Sequence, residues 1–461
     1  MVRGIALGLL VLPASVAAAE DTPAPPNVLI IYVDDLGYGD VGAYGHPVIE
    51  TPALDRLAEE GLRLTRYYAP SPLCSPSRAG LLTGRHPYRA GIRSWIPEGA
   101  GIFLGKDEVT LATVLHEAGY VTALVGKWHL NSDLGKAAEP QPLDHGFDYH
   151  YGHNAFQIPT NRNPTNLFRN GEALPAQEGY TAQLYADDAL RWLGEVPATR
   201  PWFLMLSMAE PHTTIENPPE WNARYSQFTD GPVVPIPSGG PIPVDRLTPR
   251  GPGEYYANVA YMDHHIGRVI EALREAGQLD NTVVVFASDN GPVTEDWRNW
   301  WEVNAYGSTG GYRGRKHLLY EGGIRVPAIV RYPAQIEAGS VSDALVTGLD
   351  WMPTILRLLD LQAPAELSFD GMDVSKVLAG GDTPERPLLW ALPDQDEIEY
   401  AYRRGPWKLL LGASGTPRAL FNLETDPLEF FDQLQQAPAR VATLREEFEI
   451  LRADIEGSPA R

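Results

Sequence analysis

The most reactive side chain in the sequence is Cys74, the single cysteine of the chain, in the segment SPLCSPSRAGLLTGRHPYR at residues 71–89. Pro76 suits the first position of a helix with Ser75 as its N-cap, which places Cys74 just before the helix start. The backbone N–H groups and the dipole at that end favour a negative charge. Arg78, four residues on, can turn back towards Cys74. The pattern predicts a nucleophile beside an anion-stabilising cation.

A second group of residues offers hard oxygen ligands. Asp34 and Asp35 follow one apolar run, and Asp289 and Asn290 follow another. Either pair alone could simply cap a loop. Together with Cys74, however, the two pairs form a set that could hold a metal ion. Carboxylate and amide oxygens suit calcium or magnesium better than zinc, for which cysteine and histidine are expected. The sequence therefore predicts a Ca²⁺ or Mg²⁺ site.

Basic side chains make up a third group. Lys127 and His129 are separated by one residue, so both can project to the same side at the end of a strand. His212 follows a different apolar run, and Lys316 lies in the basic loop at residues 313–316. Any one of them alone could equally be a surface lysine or a hydrogen-bonded core histidine. Together they can surround an oxyanion and supply a general base and a general acid.

Four strand-like runs must position these groups. They lie at residues 27–33, 120–125, 202–208 and 282–287. Helical patterns separate them at residues 52–61, 110–118, 180–195 and 255–276. This alternation is typical of a doubly wound α/β sheet, in which ligands bind beyond the carboxyl ends of the strands. Because each run ends in polar residues, we expect the three groups to converge at one edge of the sheet.

The motif Cys-Ser-Pro-Ser-Arg at residues 74–78 resembles the Cys-x-Pro-Ser-Arg signature of the type I sulfatases. The rest of the sulfatase pattern is present in order from Asp34 to Arg331. The stretches that resemble arylsulfatase A and N-acetylgalactosamine-6-sulfatase lie at residues 306–316, 320–333 and 348–354. The resemblance implies an alkaline-phosphatase-like fold, a bound divalent cation, usually calcium, and hydrolysis of sulfate esters.

In this family the signature cysteine is oxidised to Cα-formylglycine, so the resemblance implies that Cys74 is modified and that a formylglycine-generating enzyme is a partner. It implies metal ligands at Asp34, Asp35, Cys74, Asp289 and Asn290. The hydrated aldehyde has two hydroxyls, of which one attacks sulfur and the other releases sulfate. A serine at this position could perform only the first of these steps easily.

The resemblance also implies roles for the basic residues. Lys127 and Lys316 resemble the sulfate-binding lysines, and Arg78 resembles the residue that fixes the formylglycine and the metal. His129 resembles the base that acts on the intermediate. His212, with Lys316, resembles the acid that protonates the leaving alcohol.

Loops near these residues contain aromatic and basic side chains suited to sugar rings. The predicted substrate-binding residues are Trp95, His153, Arg162, Trp297, Arg298 and Arg313, with Asn154, Trp300 and Trp301 beside them. Ordinary loop packing accounts for such side chains equally well. The hypothesis is an exo-acting sulfatase whose substrate is a sulfated carbohydrate, a galactose or N-acetylgalactosamine sulfate. An arylsulfatase of broad specificity is the alternative.

Composition narrows the class of protein. The chain has 461 residues, of which 44% are hydrophobic and 21% charged, so it can bury a substantial core. The 59 acidic and 37 basic residues give a formal net charge of -22. This balance argues against nucleic acid as a partner and against attraction to anionic membranes. An acidic enzyme is fully compatible with these values.

The N-terminus predicts export. Residues 1–19 combine Arg3, a short apolar run and three alanines, which is the layout of a secretory signal peptide. The run is shorter than the ~20 apolar residues that span a bilayer. With no cysteine near the cleavage point, a lipid anchor is not expected. We predict a periplasmic or extracellular protein without a membrane anchor.

Two domains are predicted after the signal peptide. Residues 26–380 form the catalytic α/β domain, with an irregular proline-rich and glycine-rich excursion at residues 230–254. Residues 381–461 form a small domain, an antiparallel sheet closed by a helix at residues 437–455.

Three other functions compete with sulfate hydrolysis. A phosphoesterase or phosphonate monoester hydrolase of the same superfamily would use a similar site, because phosphate and sulfate are both tetrahedral. A catalytically silent carbohydrate-binding protein would leave the complete set of chemical residues unexplained. A thiol redox sensor is disfavoured because the chain has no second cysteine to resolve an oxidised Cys74.

Overall fold

The computed structural model describes Met1 and residues 24–158, 160–228, 251–293, 306–365, 367–382, 384–393 and 399–457. Residues 2–19 of the predicted signal peptide and residues 230–250 of the predicted excursion lie outside this part of the chain. The predicted substrate-binding residues Trp297 and Arg298 also lie outside it, as do Trp300 and Trp301 beside them. Among the described residues, no helix is long and apolar enough to cross a membrane.

A mixed sheet of ten strands forms the centre of the larger part of the molecule. The strands are β1 (Asn27–Val33), β2 (Leu62–Tyr68), β3 (Val121–Lys127), β4 (Tyr149–His153), β5 (Phe168–Arg169), β6 (Glu172–Ala173), β7 (Trp202–Ser207), β8 (Thr282–Ser288), β9 (Ala328–Arg331) and β10 (Ser340–Thr347). Their order is β10-β2-β9-β8-β1-β7-β3-β4-β5-β6, and β8, β1, β7, β3 and β4 run parallel to one another.

Helices cover both faces of this sheet. They are α1 (Pro52–Glu59), α2 (Cys74–Thr83), α3 (Leu111–Glu117), α4 (Thr181–Glu195), α5 (Pro219–Arg224), α6 (Pro252–Glu275), α7 (Glu321–Ile324), α8 (Trp351–Leu358) and α9 (Ser375–Leu378). Strand β1 alternates between two cores: Ile30 packs with α2, α3 and α8, whereas Ile31 packs with α1, α4 and α6. Burial on both faces explains why the central strands are apolar runs rather than alternating patterns. The predicted doubly wound α/β fold is confirmed.

The carboxyl ends of the central strands lie side by side. Ser288 at the end of β8 pairs with Val33 at the end of β1, and Ser207 at the end of β7 pairs with Gly126 of β3. Gly126 has a φ of 114°, and a Cβ there would lie 1.8 Å from the Ser207 carbonyl oxygen, so only glycine fits. Lys127 pairs with His153 of β4. The predicted convergence of polar groups at one sheet edge follows from this register.

The start of α6 differs from the sequence prediction. Helix α6 begins at Pro252, inside the segment predicted to be irregular. Proline is tolerated in the first turn of a helix because the backbone N–H it lacks has no intrahelical partner there.

A four-stranded antiparallel sheet follows in the chain. It consists of β11 (Pro387–Ala391), β12 (Tyr400–Arg404), β13 (Trp407–Leu411) and β14 (Pro417–Asn422), and it precedes α10 (Pro438–Glu456). One face packs against α10 through Leu409 and Phe448. The other packs against the larger part of the molecule, where Trp390 joins Tyr68 and Leu73. The predicted antiparallel sheet with a closing helix is confirmed.

A buried ionic network joins the two sheets. Lys408 of β13 lies 3.0 Å from Glu321 of α7 and 2.9 Å from Glu429, and all three side chains are fully buried. Tyr68 donates a hydrogen bond of 2.6 Å to Glu321, and Arg403 donates one to the Tyr68 hydroxyl. Burial alone would raise the pKa of Glu321, but the charges of Lys408 and Arg403 hold it below its ordinary value. Burial raises the pKa of Glu429 although Lys408 opposes the shift.

The pKa values of Glu321 and Glu429 shift in opposite directions. We therefore expect replacement of each carboxylate by an amide to change the free energy of unfolding by different amounts. Glu321→Gln should lower the free energy of unfolding by about 3 kcal/mol at pH 7, because it removes a charge on which Lys408 depends. Glu429→Gln should cost less than about 1 kcal/mol, because burial raises the pKa of this carboxyl to about 7 and it is already partly protonated at that pH. A carboxyl whose pKa is lowered in the folded state stabilises the protein above the unfolded pKa near 4.3, and this stability is lost as the pH falls. A carboxyl whose pKa is raised in the folded state makes the protein less stable as the pH rises.

Urea unfolding of the two variants at pH 6 and pH 8.5 tests this difference. Glu429→Gln should gain stability relative to the unsubstituted protein between the two pH values. Equal losses in the two variants at both pH values would contradict the assignment of charges.

Candidate active site

Three carboxylates and Cys74 meet beyond the ends of β1 and β8. One ligand atom from each of Asp34, Asp35, Cys74 and Asp289 lies within 4.8 Å of the others, and all four residues are buried. Asp35 adopts a φ of 66°, and its backbone N–H donates a 3.2 Å hydrogen bond to Asp289 Oδ1. The turn after β1 thus directs two carboxylates towards the turn after β8.

Asn290 completes this oxygen-rich set. Its Nδ2 donates a 2.7 Å hydrogen bond to Asp35 Oδ1. Its own Oδ1 is buried and has no hydrogen-bond partner among the residues that the structure describes. A cluster of three carboxylates with a free amide oxygen matches the ligand preference of Ca²⁺ and Mg²⁺. These residues therefore fit the divalent cation that the sequence predicts.

Cys74 is the first residue of α2, and Leu73 is the N-cap, so the helix begins earlier than predicted from Ser75 and Pro76. A proline within the first turn is compatible with this start. All 10 residues of α2 are buried. Cys74 Sγ lies 3.4 Å from Asp34 Oδ1.

The Cys74 thiol is not activated in this environment. Burial and the charge of Asp34 raise its pKa to about 12, although Lys127 and Lys316 oppose the shift. The favourable position at a helix start is therefore outweighed by desolvation and by the neighbouring carboxylate. The unmodified side chain is a neutral thiol at physiological pH, which argues against thiolate chemistry.

Arg78 contacts residues at the ends of three strands, β3, β7 and β8. Its Nη2 lies 2.8 Å from Asp289 Oδ2, and its Nη1 donates to the Lys127 carbonyl at 3.1 Å and to Ser207 Oγ at 2.6 Å. The guanidinium is 1% exposed. Arg78 thus projects from α2 into the cluster, as expected, and fixes Asp289 by a charge-assisted hydrogen bond.

Two lysines place positive charge on the other carboxylates. Lys127 Nζ lies 2.5 Å from Asp34 Oδ2, and Lys316 Nζ lies 2.6 Å from Asp35 Oδ1. Burial would raise the pKa of Asp34, but Lys127 and other nearby positive charges hold it well below its ordinary value. The structure therefore brings together the nucleophile position, the predicted metal ligands and the predicted sulfate-binding lysines.

His129 is held in one tautomer. Its Nε2 lies 3.1 Å from the Ile96 carbonyl oxygen, which can only accept, so Nε2 carries the proton in the neutral ring. Its Nδ1 is buried without a hydrogen-bond partner among the described residues. Burial, then the charges of Lys127 and Arg78, hold the pKa of His129 well below its ordinary value. Nδ1 therefore carries a free lone pair at physiological pH, which a general base requires.

His212 lies at the mouth of the cluster. Its Nδ1 lies 2.6 Å from the Thr213 carbonyl oxygen and donates to it, and its Nε2 lies 3.8 Å from Asp35 Oδ2. The side chain is 18% exposed, against 7% for Lys316. Among the predicted catalytic residues His212 is thus the most accessible, which suits contact with the leaving group of a substrate.

The predicted substrate-binding residues and their neighbours differ in burial and in contacts. His153 is fully buried beside Lys127. Trp95 is 45% exposed and precedes Ile96, so it lies at the rim near His129. Asn154 donates a 2.9 Å hydrogen bond to the backbone of Asn131.

Two predicted substrate-binding arginines have partners elsewhere. The guanidinium of Arg162 lies over the Tyr180 ring at 5.9 Å. Arg313 lies over Tyr320 at 4.1 Å and donates to the Glu429 carbonyl, at the junction with the smaller sheet. These contacts give Arg313 a structural role, and its contact with substrate stays a prediction.

Asp40 was not predicted, although it holds two loops of the site together. Its carboxylate accepts hydrogen bonds from the backbone N–H of Gly37 at 2.7 Å, from that of Ser308 at 2.7 Å and from the Tyr255 hydroxyl at 2.6 Å. It thus anchors the turn that follows Asp34 and Asp35 to the start of the loop that carries Lys316. A third aspartate soon after β1 was the signal available in the sequence.

Comparisons with known proteins agree with this geometry. The model of the sulfatase family matches residues 26–361, and the model described as N-sulphoglucosamine sulphohydrolase, C-terminal, matches residues 310–453. The chain belongs to the sulfatase family, and it is a sulfuric ester hydrolase.

Individual relatives support the same assignment. Bovine (Bos taurus) arylsulfatase A is 33% identical over 97% of this chain and 91% of its own length. N-acetylgalactosamine-6-sulfatase of Canis lupus familiaris is 33% identical over 83% of this chain and 71% of its own length. The crystal structure of Ps i-CgsB in complex with k-i-k-neocarrahexaose superposes with a TM-score of 0.80 at 27% identity, covering 94% of each chain.

Proposed function

We propose that this sulfatase removes a sulfate group from the end of a sulfated carbohydrate, a galactose or N-acetylgalactosamine sulfate, with Cys74 converted to Cα-formylglycine and a divalent cation bound beside it. The observation that carries the proposal is the buried cluster around Cys74. There Lys127, Lys316 and Arg78 lie against three carboxylates. Cations and an oxygen-rich metal site together suit a tetrahedral oxyanion.

The chain's own residues have distinct tasks in this proposal. The cation would be held by Asp34, Asp35, Asp289 and Asn290 together with modified Cys74. Once present, the cation and the formylglycine supply positive charge and a hydroxyl nucleophile. Lys127 and Lys316 neutralise the sulfate oxygens as charge builds up in the transition state.

The two histidines move protons in this scheme. His129 accepts a proton at Nδ1, the nitrogen that its hydrogen bond to Ile96 leaves free. His212, beside Lys316, uses its Nδ1–H on the Thr213 carbonyl, so it gives a proton from Nε2 to the departing alcohol oxygen only when the ring is protonated; burial lowers its pKa, which makes that form a stronger acid. Lys127 and Lys316 are 1% and 6% exposed, whereas the His212 side chain is 18% exposed, and this burial of the lysines favours a terminal sulfate group over one within a chain.

The sugar assignment draws on the relatives. One of them is named for N-acetylgalactosamine, and a solved relative is bound to an oligosaccharide. Trp95 at the rim and His153 beside Lys127 are proposed to contact the substrate, with Arg162, Trp297, Arg298 and Arg313. The proposal also includes export, directed by a signal peptide at residues 1–19. It includes two domains, a catalytic domain at residues 26–380 and a smaller one at residues 381–461.

Release of sulfate from a defined panel tests this function. The panel contains 4-sulfated and 6-sulfated galactose and N-acetylgalactosamine, an aryl sulfate and the matched aryl phosphate. We expect sulfate release from at least one sugar and a much lower rate on the phosphate. Lys127→Ala should lower the rate by roughly 10²-fold. Lys106→Ala is the matched control, because Lys106 is 68% exposed and pairs with Asp144 on the surface.

Other outcomes separate the alternatives. Release from the aryl sulfate alone would favour an arylsulfatase of broad specificity. A faster reaction with the aryl phosphate would favour a phosphoester or phosphonate monoester hydrolase. No release of either anion by protein whose residue 74 is fully converted would overturn the proposal.

A further inference from the structure

His153 lies directly beside the sulfate-binding lysine proposed above. It pairs with Lys127 across the parallel strands β3 and β4, so the two side chains leave the sheet on the same face. Both are buried, with 0% of His153 and 1% of Lys127 exposed. The imidazole therefore lies on the same face of the sheet as the Lys127 side chain, close enough for the charges of Lys127 and Asp34 to act on it.

Tyr185 of α4 fixes the orientation of this imidazole. Its hydroxyl oxygen lies 2.6 Å from His153 Nδ1, and the planes of the two rings are nearly parallel, with an interplanar angle of 5°. Gln157 Nε2 donates to the same hydroxyl oxygen at 3.4 Å. The hydroxyl has one hydrogen to place, and His153 Nδ1 is the acceptor within reach of it among the described residues, so we assign the Tyr185 hydroxyl as the donor to Nδ1. The neutral ring then carries its hydrogen on Nε2.

The other nitrogen of His153 is a buried donor without an acceptor. Nε2 has no hydrogen-bond partner among the described residues, although nearly all buried polar groups in proteins have one. Burial, followed by the charge of Lys127, holds the pKa of His153 well below its ordinary value, so the ring is neutral at physiological pH. Such a group is a candidate for a hydrogen bond completed by a ligand.

We propose that His153 Nε2–H donates a hydrogen bond to an oxygen of the bound sulfate group beside Lys127, and that Tyr185 is the positioning residue that keeps the hydrogen on Nε2. This inference rests on the proposed function and deepens it. A neutral donor adds a hydrogen bond without adding charge. It therefore suits a sulfate ester with one negative charge better than a phosphate monoester with two.

Three substitutions separate a donor from a packing group. His153→Leu removes the donor, and His153→Gln keeps a neutral N–H group of similar reach. Tyr185→Phe keeps the ring but removes the hydroxyl that sets the tautomer. Tyr151→Phe is the control, since Tyr151 contacts Tyr185 edge to face at 6.2 Å and no role is proposed for its hydroxyl.

Two measurements follow for each protein: kcat and KM on the aryl sulfate, and direct calorimetric binding of inorganic sulfate. His153→Leu should weaken sulfate binding about 10-fold or more and raise KM more than it lowers kcat. His153→Gln should recover most of this loss. Tyr185→Phe should give an intermediate loss of about 3-fold, and Tyr151→Phe should match the unsubstituted protein.

The inference fails if His153→Leu binds sulfate as tightly as the unsubstituted protein. It also fails if the Leu and Gln variants lose the same affinity while their unfolding temperatures stay unchanged. Failure of the proposed function has a different signature, because the unsubstituted protein itself would then release no sulfate from any ester. Turnover by the unsubstituted protein with no effect of His153→Leu overturns only the present inference.

Discussion

Replacing Cys74 by alanine is expected to lower the rate of sulfate release by about 10³-fold or more, because it removes the proposed nucleophile from an otherwise intact cluster. The thiol itself is a poor candidate for this task, since burial and Asp34 raise its pKa to about 12. Activity should therefore follow the fraction of chains in which residue 74 is converted, as measured by the mass of the peptide that contains it.

Cys74→Ser is the informative partner of this variant. A serine hydroxyl can attack sulfur once, but it lacks the second hydroxyl needed to release the sulfate again. The variant should form sulfated protein in a single turnover and then stop, whereas Cys74→Ala should form none. Mass spectrometry of the intact chain detects the difference. Undiminished multiple turnover by Cys74→Ser would contradict the proposed chemistry.

Removing divalent cations is expected to abolish activity and to lower the unfolding temperature by several degrees. Asp34, Asp35 and Asp289 place their oxygens within 4.8 Å of one another and of Cys74 in a buried site, so a bound cation relieves their mutual repulsion. A ligand at 100 times its dissociation constant stabilises the folded state by about 2.7 kcal/mol. Calorimetry after chelation and after return of Ca²⁺ or Mg²⁺ measures this effect and ranks the two ions.

A pair of variants separates specific binding from a general effect of salt. Asp289→Asn should remove most of the thermal shift on adding Ca²⁺. Asp343→Asn should keep it, because Asp343 is 76% exposed and pairs with Arg66 on the surface. A shift of the same size in both variants, or full activity after chelation, would show that the carboxylate cluster holds no functional cation.

The strand ends could be predicted because their chemistry is local in the sequence. Strands β1 and β8 are apolar runs, and each is followed at once by an aspartate, Asp34 or Asp289. A parallel sheet must bring such groups to one edge. The smaller sheet could be predicted for a similar reason, since its strands are short runs separated by turns.

Partners distant in sequence could not be predicted in the same way. Asp40 bonds to Ser308, and Tyr185 bonds to His153, through contacts that exist only once the loops and α4 have packed. The same limit applies to Arg313, whose position in a basic loop suggested contact with substrate, while the structure shows a contact with Glu429. Residue type indicated the chemistry in each case, but tertiary packing selected the partner.

The complete burial of α2 also sets an order of events during biosynthesis. Cys74 is 3% exposed, and the following residues of its motif lie inside the same buried helix. A modifying enzyme needs access to the Cys74 side chain, which the folded chain does not offer. The proposed oxidation of Cys74 therefore has to occur while the chain is still being made or transported. If the proposed function holds, a chain that folds first keeps its thiol and stays inactive. The yield of active protein then depends on the rate of oxidation relative to the rate of folding.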